Sequence, residues 1–352
     1  MTAPGAGDQY AVAGVDTRAA DRAIGALVAV LRTIETGARS RAVPLPGHYA
    51  AVLEVAPNLG IAVGTDGVGS KLIVAEATGR YDTVGIDCVA MNVNDVVCVG
   101  AEPIAVLDYL AVEQPDPGVF EAIGRGLKAG AEQAGVEIPG GEVAVLPELI
   151  RGHPSPGGFD LTAACFGTVA LDRIVTGAEC APGDALIGLP SSGLHSNGFT
   201  LARRVLEPLG LDHRPRALGG ASIADALLEP TVIYVRAALA LLRSGLPVHG
   251  LAHITGGGLA NLLRLSARVG FAIEAPLPVP PVFDLVREHG AVGEPELWSV
   301  FNMGCGFVAV VPEATADEAV SLLAARHPGS ARIGTVTSDA GAVGVPSLGV
   351  AL

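Results

Sequence analysis

Charge is scarce in this 352-residue chain. Asp, Glu, Lys and Arg make up 16% of it, and aromatic residues only 4%. Half of the residues are hydrophobic, so the low charge excludes a chain that stays disordered for want of apolar surface to bury. Positive charge is the scarcer sign. There are 22 Lys and Arg against 36 Asp and Glu, a net charge of −14. Such a surface repels phosphate backbones, and no nucleic-acid partner is expected. Cysteine is sparse too: Cys88, Cys98, Cys165, Cys180 and Cys305 are odd in number and include no C-x-x-C pair. That argues against a disulfide framework or a thiolate zinc site and leaves buried reduced thiols. No stretch of about 18 residues lacks polar interruption, and the first ten residues hold neither a basic nor an apolar leader region. No membrane partner is expected, and the cytoplasm is the expected location.

What the chain has in abundance is glycine and proline, 47 and 25 residues, placed between apolar runs. Tight loops joining strands and helices follow from that placement. Residues 1–14 read as a polar tail. Helical spacing of Ile24, Leu27, Val28 and Leu31 predicts a helix from Asp16 to Ile34. A strand is expected from Leu59 to Gly64 with a turn at Asp66–Gly69, then a helix over Asp87–Val99 and a strand over Pro103–Val112. In the second half, strands are expected at Ala185–Leu189 and Gly306–Val311, and helices over Thr200–Leu206 and after Gly256–Gly258. Strands and helices alternate throughout, so the fold class is α/β (α+β) with two domains, residues 1–170 and 171–352, and a soft boundary between 170 and 182.

The chemistry concentrates in Gly64-Thr-Asp-Gly-Val-Gly-Ser-Lys71. Its glycines Gly64, Gly67 and Gly69 allow close backbone approach to a ligand, Asp66 offers oxygen to a metal, and Lys71 offers positive charge. The lysine follows serine instead of the last glycine, so this is not a P-loop. Asp87, Asn94 and Asp95 lie in the apolar run Val84–Val99. Positions seven apart on a helix differ by roughly 20°, so Asp87 and Asn94 share a face. Asp108 stands inside an apolar strand, and Glu142 follows two glycines. Each acid alone is most simply a cap or an exposed turn residue. The set, with few positive side chains near it, calls for a cation. Mg²⁺ with nucleotide phosphates suits hard oxygen ligands.

Two loops in the second half have the geometry of anion sites. Ser196 and Asn197 precede a helix, where free N–H groups and the macrodipole favour negative charge. Thr255, Gly256, Gly257 and Gly258 repeat that arrangement. His195 and His253 are the histidines in these glycine-flanked motifs, placed to orient a reacting group or move a proton, although a lone histidine is more often structural. The stretch Gly188-Leu-Pro-Ser-Ser-Gly193 lacks the G-x-S-x-G order of a hydrolase nucleophile.

These motifs resemble the phosphoribosylformylglycinamidine cyclo-ligase (AIR synthetase) family. The matching residues are Ala13-Gly-Val-Asp16, Gly64–Lys71, Gly85-Ile-Asp87, Met91–Asp95 and the Asp95-x4-Gly100-Ala-x-Pro103 pattern shared with selenophosphate synthetase and thiamine-phosphate kinase. Gly140-Gly-Glu142, Ser191–Gly198, His253–Gly258 and Phe301-Asn-Met-Gly304 continue in family order. The resemblance implies two domains of the AIR synthetase type with the active-site cleft between them. The first would bind ATP and Mg²⁺ and form a homodimer, and the second would hold the substrate and phosphate. It implies ATP-dependent conversion of a small-molecule nucleotide, formylglycinamidine ribonucleotide, to aminoimidazole ribonucleotide through a phosphorylated amide, with room for K⁺ as a monovalent ion. It also implies roles. Asp66, Asp87, Asp95, Asp108 and Glu142 would hold Mg²⁺, with Asn94 beside them. Gly64, Gly67, Gly69 and Lys71 would meet ATP. Ser196, Thr255 and Gly256–Gly258 would bind phosphate or substrate, and His195, Asn197 and His253 would serve the reaction.

The chain departs from the family at several points. Arg41–Pro57 contains only Gly47 where many bacterial members carry a glycine-rich loop. Val143 and Val145 replace a hydroxyl and a carboxylate, Glu148 is extra, and Ser299-Val300 stands where Arg-Thr is usual. Two alternatives therefore stay open: another ATP-dependent phosphoryl transferase of the superfamily, and a non-catalytic nucleotide-binding relative.

Overall fold

Apolar alternation broken by glycine-rich turns produces two sheets, seen in a computed structural model that describes residues 9–352. The first sheet contains β1 (Ala51–Ala56), β2 (Leu59–Gly67), β3 (Glu102–Val112), β4 (Glu137–Val145) and β5 (Phe159–Val169), in the order β1-β2-β5-β3-β4. Its pairs are antiparallel except β3 with β4. The second contains β6 (Ala185–Pro190), β7 (Gly250–His253), β8 (Gly270–Ile273), β9 (Cys305–Val311), β10 (Ala331–Thr337), β11 (Val343–Val345) and β12 (Val350–Ala351), in the order β12-β11-β8-β10-β6-β9-β7. Strict alternation marks β5, where Leu161, Ala163 and Cys165 are buried and the residues between them are half-exposed.

The helix Val84–Cys98 decides where the site lies. It packs on β2, β3 and β5 and on the helix Pro117–Ala134, and it also touches β7 and the helix Val235–Arg243 of the second half. Thirteen of its fifteen residues are buried, which is why its sequence shows no single apolar stripe. Side chains that would be exposed on an ordinary surface helix, Asp87, Asn92 and Asn94, are enclosed at the junction between the two sheets.

Several expected elements differ in detail. The helix read from Asp16 spans Thr17–Leu31, with the Asp16 carboxylate accepting from Ala19 N at 2.9 Å as its cap. Its apolar positions Ile24, Leu27 and Leu31 are exposed. Strand β2 runs on to Gly67, so Asp66 is a strand residue and not part of a turn. The glycines of Gly140-Gly-Glu142 lie within β4, and the segment after Gly256 winds as a 3₁₀ stretch, Gly258–Arg264, not as an α-helix. A short helix, Gln9–Val12, and the turn after it occupy the end of the expected tail, and residues 1–8 lie outside the described residues. All five cysteines are buried and unpaired. No helix among the described residues is long and apolar enough to cross a membrane.

Candidate active site at the domain junction

The first finding corrects two assignments. Lys71 and Asp87, expected at ATP and at Mg²⁺, form a fully buried ion pair, with Nζ 3.0 and 2.8 Å from the two carboxylate oxygens. The ammonium also donates to the carbonyls of His195, at 3.1 Å, and Glu229, at 2.7 Å. Thr231 donates to Asp87 Oδ1 through its N–H and its hydroxyl, at 2.8 and 2.6 Å. Burial pulls the Lys71 ammonium below its usual pKa, and the Asp87 charge opposes that. With its three ammonium hydrogens matched to three oxygens and no surface exposed, Lys71 has nothing left for a phosphate. The pair ties the first half of the chain to the loop at His195 and the segment at residues 229–231. Asn94 does the same two turns along the same helix face: its Nδ2 donates to Val232 O and its Oδ1 accepts from Tyr234 N, both at 2.9 Å.

Asp66 and Asp95 face the junction instead. Asn92 holds the Asp66 backbone with a bond each way, accepting from its N–H at 2.9 Å and donating to its carbonyl at 3.1 Å. Burial raises the Asp66 carboxyl pKa, the Gly67 N–H opposes this, and the Asp95 charge raises it further. Asp95 accepts from His253 Nδ1 at 2.9 Å. Asn94 Nδ2 lies 3.4 Å from His253 Nε2, an arrangement that puts the imidazole proton on Nδ1, toward Asp95. His253 has no exposed surface and both ring nitrogens are engaged, so it orients Asp95 and does not meet a ligand itself.

Asp108 belongs on the same side and Glu142 does not. Asp66, Ala163, Asp108 and Gly141 form one row across β2, β5, β3 and β4, so their side-chain directions share a face. Two strand spacings separate Asp66 from Asp108, about 10 Å at the backbone. A Cβ on Gly141 would lie 2.4 Å from Asp108 Oδ1, so the second glycine of that motif makes room for the carboxylate. Burial raises the Asp108 pKa. Glu142 sits one residue on, points to the opposite, outer face, and is exposed. That corrects its place among the converging acids. Val143 and Val145 are exposed on the same edge strand.

Asp66 and Asp95 fit a hard divalent cation. They are half-buried carboxylates close enough to raise one's pKa by the other's charge, a repulsion that such an ion relieves. Among the described residues no three His, Cys, Asp or Glu approach closely enough to enclose a metal alone, so phosphate oxygens and water would complete the shell.

The two loops of the second half meet each other beside these acids. Ser196 Oγ lies 3.2 Å from Thr231 Oγ1. Asn197 reaches Met91 Sδ at 3.9 Å, and its Oδ1 would lie 3.3 Å from a Cβ placed on Gly256. Thr255 donates its N–H to Asn261 Oδ1 at 2.7 Å, while Asn261 Nδ2 donates to Gly256 O at 3.1 Å, so Asn261 holds the glycine turn from behind. Gly257 and Gly258 have positive φ, and a Cβ on Gly258 would lie 2.1 Å from Trp298 O, so only glycine fits there. Gly69 opens the short turn that ends at Lys71, whereas Gly64 faces Val96 within the fold, not the junction. His195 is a further correction. Its backbone is left-handed (φ 62°), its ring is buried against Tyr234, and its Nε2 accepts from Ser192 N at 3.3 Å. Its carbonyl, held by Lys71, shapes the loop. Asn302 fastens the start of that loop, accepting from Ser191 Oγ at 2.8 Å and donating to Gly193 O at 2.8 Å.

Three residues at the junction have no motif in the sequence. Tyr49 is buried, its hydroxyl donates to Asn261 O at 3.0 Å, and the Arg264 guanidinium stands over its ring at 4.9 Å. Arg264, whose side chain is exposed, also acts to lower the Asp66 pKa, so positive charge stands near that acid. His48 packs edge-on against Tyr49 at 5.6 Å. A groove of about 670 Å³ lined by Gly100, Glu102, Arg173 and His249 lies near the far ends of β3 and β5, roughly 20 Å along the strand from Ala163, and holds none of these groups.

Comparison with known proteins follows the same division of the chain. Residues 47–169 match the family described as AIR synthase related protein, N-terminal domain, and residues 181–345 match its C-terminal domain. A Thermococcus kodakarensis protein named phosphoribosylformylglycinamidine cyclo-ligase is 48% identical over 347 residues, covering 97% of this chain and 99% of that one. Its namesake in Methanothermobacter thermautotrophicus is 52% identical over 295 residues, 83% of each chain. Among solved structures, hydrogenase maturation protein HypE in complex with ATP shares the fold at a TM-score of 0.59 and 23% identity, over 88% of this chain and 89% of that one. T. maritima PurL complexed with FGAR does so at 0.59 and 18%, over 89% of this chain and 48% of the other.

Proposed function

The chain belongs to the AIR synthase related family, among its phosphoribosylformylglycinamidine cyclo-ligases, and on that premise we propose how its domain junction closes an imidazole ring at the expense of ATP. The enzyme is an ATP-dependent ligase of purine biosynthesis that converts formylglycinamidine ribonucleotide to aminoimidazole ribonucleotide, ADP and phosphate. An amide oxygen is a poor leaving group. Phosphoryl transfer from ATP to that oxygen makes it one, the amidine nitrogen then attacks the same carbon, and phosphate departs as the ring forms. The protein's work is positioning and neutralisation of charge.

One observation carries this reading. His253 joins the Asp95 carboxylate of the first half to the strand end that leads directly into Thr255–Gly258. The acid proposed for the metal and the turn proposed for phosphate are thereby joined across the junction. Asp66 and Asp95, with Asp108 on the same face, would hold Mg²⁺, which would supply positive charge to offset that of the ATP phosphates. Ser196, Asn197, Thr255 and the Gly256–Gly258 turn would hold the phosphate of the substrate or the transferred group, and Arg264 would balance its charge in an otherwise acidic protein. A single-turnover reaction with formylglycinamidine ribonucleotide, Mg²⁺ and ATP tests the reading. ADP and aminoimidazole ribonucleotide should appear together in equal amounts, and ADP without ring closure would leave only a kinase.

The homodimer belongs to the same proposal. The outer face of the first sheet exposes Leu53, Leu59, Ile104, Leu107 and Tyr109, each at about 40% or more, and Ile61, Val63 and Phe166 lie between them. A contiguous apolar sheet face of this kind favours association with a second copy. Sedimentation at micromolar concentration should give twice the 35.4 kDa chain mass. A monomer at that concentration would remove the dimer.

A further inference from the structure

Resting on that reading, we propose that Tyr49 is the positioning residue of the phosphate site: its hydroxyl holds the Thr255–Gly258 turn through Asn261, and its ring seats the Arg264 guanidinium. A residue two places before β1, in the first half of the chain, would thus set the geometry of a turn in the second.

The turn needs outside support. It leads into a 3₁₀ stretch of seven residues, Gly258–Arg264, and 3₁₀ runs longer than three or four residues are uncommon because their hydrogen-bond geometry is poor. Asn261, in the middle of that stretch, carries the turn: its side chain accepts from Thr255 N and donates to Gly256 O. Tyr49 fixes Asn261 in place, donating its hydroxyl to the Asn261 carbonyl at 3.0 Å across 212 residues of chain. Burial pushes the Tyr49 phenol well above its usual pKa, so the hydroxyl keeps the proton it donates. The second hold is at the end of the same stretch, where the Arg264 guanidinium stands over the Tyr49 ring at 4.9 Å. Three residues make one 3₁₀ turn, so Asn261 and Arg264 stand on one side of the stretch, and a single buried side chain meets both. A guanidinium held over an aromatic face keeps N–H donors for an anion. Tyr49 is itself well placed to hold others still. Pro44 and Pro46 fix their own φ in the approach to it, and His48 N closes a turn on Leu45 O at 3.2 Å.

Equilibrium binding to the intact protein with Mg²⁺ tests this. The ligands are formylglycinamidine ribonucleotide, a non-hydrolysable ATP analogue, and the counterpart of each that lacks its terminal phosphate. The ligand whose affinity responds is the one whose phosphate rests on the turn. Tyr49→Phe, which removes the hydroxyl and keeps the ring, should weaken that ligand by about fivefold and leave its dephosphorylated counterpart unchanged. Tyr49→Leu, which removes the ring as well, should weaken it by about twentyfold. In an Arg264→Ala background the gap between Tyr49→Phe and Tyr49→Leu should close, because the ring then has no guanidinium to seat. In steady state, KM for the responding ligand should rise in Tyr49→Phe with kcat within about twofold, a split that general destabilisation does not produce. Wild-type affinity for both ligands in Tyr49→Phe overturns the proposal, and so does equal weakening of a ligand and its dephosphorylated counterpart. A gap that survives Arg264→Ala overturns the seating of the guanidinium. Should Tyr49→Leu fail to fold, Tyr49→Phe decides alone. Failure of the functional reading shows separately, as a wild type that binds both ligands and forms no ring.

Discussion

Lys71→Ala should lower the unfolding free energy by about 3–5 kcal/mol, because it leaves the Asp87 carboxylate buried without its cation. The pair is wholly enclosed, so solvent does not screen it. The loss should appear in urea unfolding as a lower midpoint, and in limited proteolysis as earlier cutting near residues 195 and 229, whose carbonyls lose their donor. The double variant Lys71→Met with Asp87→Asn removes both charges while keeping an acceptor for Thr231. It should be more stable than the sum of the single losses by about 1–3 kcal/mol. A Lys71→Ala protein within about 1 kcal/mol of the wild type would mean that the pair does not hold the halves together.

The second large effect is on turnover. On the proposed assignment, Asp66→Asn and Asp95→Asn should each lower the Mg·ATP-dependent rate by at least about 100-fold, since removing a group that orients a metal ligand already costs about 10–100-fold and these would be the ligands themselves. Raising Mg²⁺ should restore part of the loss in either variant. Unfolding midpoints should stay close to wild type, because neither carboxylate is fully buried or paired with a lysine or arginine. Asp87→Asn should behave in the reverse way, with stability reduced and the Mg²⁺ dependence of turnover unmoved. Near-normal rates in both Asp66→Asn and Asp95→Asn would remove the metal assignment.

Much of this arrangement was legible from the chain. The seven-residue spacing of Asp87 and Asn94 implied one helix face, and they do share one: Asp87 meets Thr231, and Asn94 meets Val232 and Tyr234. What that spacing could not say is that the face is turned toward protein, not ligand. The apolar run around the acids implied burial and a matching cation. The sequence pointed to Mg²⁺ as that cation, whereas at Asp87 the structure supplies Lys71. Glu142 was misplaced for a different reason. Its face depends on the register of β4 against β3, and a one-residue step along a strand exchanges inside for outside. Tyr49 and Arg264 carried no motif because each acts through a partner distant in the chain, and His48 packs on Tyr49.

By itself the sequence determined that the chain builds two α/β halves with a Gly-rich acidic segment in one and two phosphate-type loops in the other. Local periodicity and turn chemistry suffice for that, because they act over a few residues. Only the tertiary structure decided how the segment Gly64–Lys71 divides its labour: Asp66 to the site, Lys71 to the joint. Both are charged residues in one short stretch, Asp66 near the end of β2 and Lys71 in the 3₁₀ turn after it. What separates them is which was taken out of water beside a partner, and desolvation depends on contacts 124 and 158 residues away at His195 and Glu229.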